Sequence, residues 1–245
     1  MRSHIQRARP SQLGFSFLEV ILTVVIIGTI LGAILSQVSL VQQRARAEAI
    51  KLDSFQESRE FVDGFVRDLH LAGYPNIRMF DTSSWSPALN SPPWNDSRLA
   101  AGVIYLSPSQ ITFEGDVDGD GQVDVVEYKL ITAGNNCPCI QRSQVLKPGG
   151  AVFSVQVQNI QNAGTNADPV FVGYKSDGTL VNSADTTTTA GLQTLASLRT
   201  IKITLKVKAV NVDPQTGLAP EVSLNASVTL VNCSMLATGQ TMSCQ

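Results

Sequence analysis

The sequence predicts an α+β protein: one very long N-terminal helix followed by an antiparallel β-sheet head. Three observations carry this. A charge-free apolar run begins near the N-terminus, a helical apolar rhythm continues it to about residue 73, and seven later stretches alternate apolar and polar residues. A chain of 245 residues with 43% hydrophobic and 16% charged residues buries a real core, so one folded domain joined to a membrane element is expected.

From Val20 to Leu35 the residues are almost wholly apolar, and no charge falls between Glu19 and Arg44. That is long enough for a membrane helix. Arg2, Arg7 and Arg9 precede it without an acid, so the positive-inside bias keeps residues 1–14 in the cytoplasm and sends the remainder outward. The formal charge is −2, and removing those three arginines leaves 15 basic against 20 acidic residues, or −5. A mildly acidic chain lacks the clustered cations of a general nucleic-acid binder. A cleaved signal peptide is the alternative, with Ala45-Arg46-Ala47 as its small-x-small site. The apolar run is longer than a usual signal core, however, and that reading leaves Glu19 unexplained.

A carboxylate at the rim of hydrocarbon costs about 2.5–3.5 kcal/mol, so Glu19 needs a partner. The run Gly14-Phe15-Ser16-Phe17-Leu18-Glu19, behind a basic leader and ahead of an apolar helix, resembles the prepilin motif of type IV pilins and type II pseudopilins. The resemblance implies a pilin-like fold, cleavage after Gly14 by prepilin peptidase and methylation of Phe15 as the new N-terminus. The freed amine, four residues from Glu19, would neutralise that carboxylate within one subunit or between neighbours. Ser16 and Phe17 stand where Thr and Leu are commonest. The membrane half lacks the proline of many major pilins, which favours a minor pilin or pseudopilin.

The apolar positions Val41, Ala45, Ala49, Leu52, Phe55, Val62, Phe65, Val66 and Leu69 extend the helix as an amphipathic half over 41–74, with Gly73 and Pro75 as its stop. From Phe15 to Gly73 it would measure roughly 90 Å. Phe65 to Tyr74 is similar to the helix end of PilW-type minor pilins, and related runs occur in J-type pseudopilins. The head then comprises residues 75–245. Residues 75–101, rich in Pro, Ser, Asn and Asp, form a long loop whose Trp85 and Trp94 either pack on the sheet or meet neighbouring subunits.

Strands are expected over about 102–106, 110–114, 123–131, 151–160, 170–175, 199–210 and 221–230, with a hairpin turn at Ser176-Asp177-Gly178. In 199–210, Lys202, Lys206 and Lys208 share a face with Thr204, and this stripe reads as solvation and edge protection before it reads as a phosphate-binding surface. Thr186 to Thr189 reads as a low-complexity turn.

Cys137, Cys139, Cys233 and Cys244 all lie in the C-terminal half, and export makes disulfides the expected state. With His4 and His70 as the two histidines, a thiolate metal site is not indicated. The pilin resemblance implies a local Cys233–Cys244 staple. Cys137 and Cys139 then pair with each other, cross to that pair, or stay free, the tight spacing weighing against a bond between them.

Asp116 to Glu127 matches the calcium-loop pattern D-x-D-x-D-G with acids at its ninth and twelfth positions. Asp116, Asp118 and Asp120 would supply side-chain oxygens, Gln122 its carbonyl, Asp124 a direct or water-mediated ligand and Glu127 a closing carboxylate. The flanks read as strands, which would carry Glu127 about 10 Å past Asp124. A solvated acidic hairpin turn is the competing reading.

No Ser/His/Asp, Cys/His or phosphate-loop arrangement is present, so no catalysis is expected. The resemblance implies a minor pilin-like subunit of a type IV pilus, with prepilin peptidase, other pilins, an inner-membrane assembly platform and membrane lipid as partners. The alternative is a minor pseudopilin of a type II secretion or competence system, and the second alternative a filament-displayed adhesin or DNA-binding head.

Overall fold

A computed structural model describes residues 14, 16–134, 137–163, 168–213 and 216–237. Helix α1 runs unbroken from Phe17 to His70. No proline interrupts it, and its only glycines, Gly28, Gly32 and Gly64, sit where an added Cβ would meet nothing. Residues 17–41 are exposed along their whole length, and this segment is long and apolar enough to cross a membrane. The buried face of the outer half is Ser58, Phe61, Val62, Phe65, Asp68 and Leu69, spaced by threes and fours. Val41, Ala45, Ala49, Leu52 and Phe55, expected on that face, remain exposed, so apart from Ala47 the burial begins only at Ser58.

The helix ends where expected. Leu71 turns back onto the Asp68 and Leu69 carbonyls, and Gly73 adopts φ +81°. A side chain at Gly73 would also press on the Cys233 carbonyl at 3.1 Å. Gly73 N–H then donates to the Glu114 carbonyl at 2.8 Å, fastening the helix end to the head.

The head is antiparallel, but its strands divide between two sheets. One is a meander of β1 (Val103–Ser107), β2 (Gln110–Gly115), β3 (Asp124–Ile131), β4 (Cys139–Leu146) and β5 (Phe153–Gln158). The other contains β6 (Phe171–Lys175), β7 (Leu180–Val181), β8 (Leu198–Lys208) and β9 (Glu221–Thr229) in the order β7-β6-β8-β9, with a short helix α2 (Thr189–Ala196) before β8. The expected turn at Ser176-Asp177-Gly178 closes the β6–β7 hairpin, Gly178 at φ +81°. The tract read as a threonine turn bends at residues 186–188, with Thr187 bonded back to Asp185, and runs into α2, which the Thr188 hydroxyl caps by accepting from Gly191 N–H.

One core joins helix and sheets. Phe65, fully buried, stands 5.1 Å from the Tyr128 ring of the first sheet and 5.6 Å from Phe171 of the second. The α+β architecture is pilin-like: an N-terminal helix whose outer half packs on antiparallel sheets, chiefly through β9 and β8.

The loop 75–101 folds onto the outer face of the first sheet through three short 3₁₀ turns. Glu114, buried there, accepts from Ala101 N–H at 2.8 Å and from Lys147 Nζ at 2.7 Å. Lys147 also donates to the Trp94 and Leu99 carbonyls, so one ammonium ties loop to sheet. Trp94 packs against the core, and Trp85 lies against Phe80 beneath the Arg98 guanidinium.

Candidate cation-binding hairpin and its link to the long helix

The acidic segment connects β2 to β3. Gly119 and Gly121 take φ of +78° and +83°, which lets the chain curl around its own carboxylates. Asp116 accepts from the N–H groups of Gly119 (2.8 Å) and Gly121 (3.1 Å), Asp118 from Asp120 N–H (3.2 Å), and Asp120 from Gln122 N–H (2.8 Å). One carboxylate oxygen from each of Asp116, Asp118 and Asp120 lies within 4.8 Å of the others.

Asp124 belongs to the same neighbourhood. Gln144 Nε2 donates to Asp124 at 2.8 Å and to Asp118 at 3.3 Å, bridging the two. Burial raises the Asp124 pKa, and the charges of Asp118, Asp120 and Asp116 push the same way against the Gln144 hydrogen bond. Hard cations prefer such oxygens, and the three-aspartate cluster of Asp116, Asp118 and Asp120 is a set that could hold one, with Asp124 beside it but outside the cluster.

Glu127 does not join them. In β3, Asp124, Val126 and Tyr128 alternate inward, while Glu127 faces the opposite side of the sheet, across from Thr112 and Ser143. Burial raises its pKa, opposed by Lys129. The twelfth-position ligand expected from the pattern is thus displaced, because a strand leaves the loop where the pattern requires a helix.

Sequence reasoning missed the side chains that connect this hairpin to α1. Gln144 Oε1 accepts from Arg142 Nη2 at 2.9 Å, and the same guanidinium donates to Asp68. Tyr128 Oη donates to Asp68 at 2.8 Å, with its own pKa raised by burial and by that carboxylate. The chain of contacts runs from the acidic loop through β4 to the helix. Its signal was a strand too polar to be noticed: Gln141, Arg142, Ser143 and Gln144 mask the alternation of β4.

The other expected sites are placed as follows. Gly14 is exposed and precedes Ser16, which stands at the helix N-cap. Glu19 lies in the first helical turn, and Phe15 is outside the described residues. Cys137 and Cys139 are disulfide-bonded to each other with Cα atoms 4.3 Å apart, which resolves the alternatives left open by their spacing. Cys233 is disulfide-bonded, and Cys244 lies outside the described residues. Lys202, Lys206 and Lys208 share the outer face of β8 as expected, but β8 is flanked by β6 and β9 and so protects no edge. Lys206 pairs with Asp168, and Lys208 stands opposite Glu221. His70 is exposed at the end of α1.

Compared with models of known protein families and with curated proteins, the chain gives no match.

Proposed function

We propose that this chain is a minor pilin-like subunit, cleaved after Gly14 by prepilin peptidase and assembled into a type IV pilus or its priming complex. The observation that carries the reading is the unbroken α1, whose exposed apolar first half continues without a kink into a half packed on the head. A helix built this way anchors the chain in a membrane and, once extracted, packs against its own kind while displaying a folded head. Glu19 is the one acid in the apolar half, and pairing with the amine of a processed Phe15 would offset its cost and fix axial register.

The role is structural and requires no catalytic group. The N-terminus faces the cytoplasm, the head is exported, and the partners are prepilin peptidase, other pilins, the assembly platform and lipid. A minor pseudopilin of a secretion or competence filament uses the same parts. Calcium held by Asp116, Asp118, Asp120 and Asp124 would stiffen the β2–β3 hairpin after export.

Intact-mass analysis of membrane-extracted protein co-expressed with prepilin peptidase tests the proposal. Loss of residues 1–14 with methylation of Phe15 is expected, and Gly14→Leu should stay uncut. A mature N-terminus at Glu48 would instead identify a signal peptide. Glu19→Ala should be inserted and cut but incorporated poorly into filaments.

A further inference from the structure

β9 ends the second sheet. It pairs with β8 over nine residues without a bulge, and no described strand lies beyond it. Ladder parity decides which of its backbone groups are used. At either end, Leu230 N–H donates to the Arg199 carbonyl and Ala209 N–H to the Pro220 carbonyl, both at 2.8 Å. Odd-numbered residues of β8 therefore bond to β9, and their partners are Val222, Leu224, Ala226 and Val228. Even-numbered residues bond the other way, Thr204 N–H to Val170 and Lys208 N–H to Asn159. Ser223, Asn225, Ser227 and Thr229 consequently direct N–H and C=O outward, where no described residue meets them.

Exposed edges are normally blunted by lysine, proline, a bulge or short length. β9 has none of these, and Glu221, its single charge, stands opposite Lys208. The edge is long, regular and electrically neutral.

We propose that this edge receives an extended, uncharged segment of a different exported polypeptide, which adds a strand to the second sheet by backbone pairing. The choice of partner rests on the reading of α1 as a membrane anchor. Antiparallel self-pairing relates two copies by a two-fold axis normal to the sheet. Since α1 packs along the face of β9, that axis reverses it and points the two apolar segments in opposite directions, which one membrane does not allow. Parallel self-pairing turns one sheet over. It would run the row Val222, Leu224, Ala226 into the neighbour's Ser223, Asn225, Ser227. A foreign neutral strand incurs neither defect.

Amide hydrogen exchange of the full chain in detergent micelles, followed by NMR, tests this. The probe is a peptide of residues 221–230 with two added lysines for solubility. Alone, the outward amides of Ser223, Asn225, Ser227 and Thr229 should exchange fast while those of Val222, Leu224 and Ala226 are protected. With saturating peptide the outward set should slow by about tenfold or more. Asn225→Pro removes no bond to β8, so it should melt as the parent does and lose the slowing, and Ser227→Lys should weaken it. Outward amides already protected in the chain alone, or slowed equally in Asn225→Pro, would overturn the proposal. A concentration-dependent dimer of the full chain that disappears in Asn225→Pro would place a second copy on the edge and overturn the choice of partner. Cleavage after Gly14 tests the anchor separately, so the two readings fail by different measurements.

Discussion

Arg142 donates from both Nε and Nη2 to a single oxygen of Asp68, Oδ2, at 3.0 and 2.7 Å. The contact ties strand β4 to the last turns of α1 across 74 positions of sequence. Asp68 is 2% exposed, so its carboxylate depends on Arg142 and Tyr128 for the solvation it has lost. Truncating Arg142 to Ala should destabilise the chain by about 3 kcal/mol, because a buried charge loses its closest counter-ion and keeps only the solvent-exposed Arg67, 3.8 Å from its other oxygen. Arg142→Leu combined with Asp68→Leu should recover part of the loss. Urea unfolding in detergent reads both, and strictly additive effects would show that the pair is not coupled.

Phe65 is the contact point of α1 with both sheets, through Tyr128 and Phe171. Phe65→Ala should cost about 3–5 kcal/mol, whereas Phe55→Ala, on an exposed part of the same helix, should cost far less. Equal losses would mean that the helix face is wrongly assigned.

The helix, its stop at Gly73 and most strands were legible because burial imposes a period on the sequence: threes and fours along α1, twos along β3 and β8. β4 was not, since its inward positions carry Arg142 and Gln144, polar residues satisfied by Asp68 and Asp124 from distant segments. A local pattern cannot reveal a partner 74 positions away. The three-aspartate cluster was legible as a motif, and so was the conflict at Glu127 between the twelfth-position rule and strand-like flanks, which the extended backbone of β3 decides by turning Glu127 to the other face. β7, two residues long, offers too short an alternation to see.

Burial and the neighbouring carboxylates raise the pKa of Asp124 in the folded chain. The native state then holds its proton more tightly than the unfolded state, so this residue favours folding below the ordinary aspartate range and loses that contribution as pH rises through the raised value. Asp124→Asn has no such dependence. In chelator, the melting temperature of Asp124→Asn relative to the parent should therefore increase from pH 4 to pH 7. A constant difference would show that Asp124 titrates normally.

Calcium should invert that relationship, because a bound cation needs the carboxylates ionised. At neutral pH, calcium at a hundredfold excess over its dissociation constant should stabilise the chain by about 2.7 kcal/mol relative to chelator. Asp118→Ala and Asp120→Ala should abolish the gain, since both belong to the cluster of oxygens within 4.8 Å. Asp124→Asn, stabilising in chelator, should become neutral or destabilising with calcium. Glu127→Gln discriminates between two geometries. If Glu127 closed the site as the sequence pattern requires, the calcium effect would collapse, but its position opposite Thr112 and Ser143 predicts an unchanged shift. Identical melting of the parent in calcium and in chelator would leave an acidic turn held by its own backbone N–H groups and nothing more.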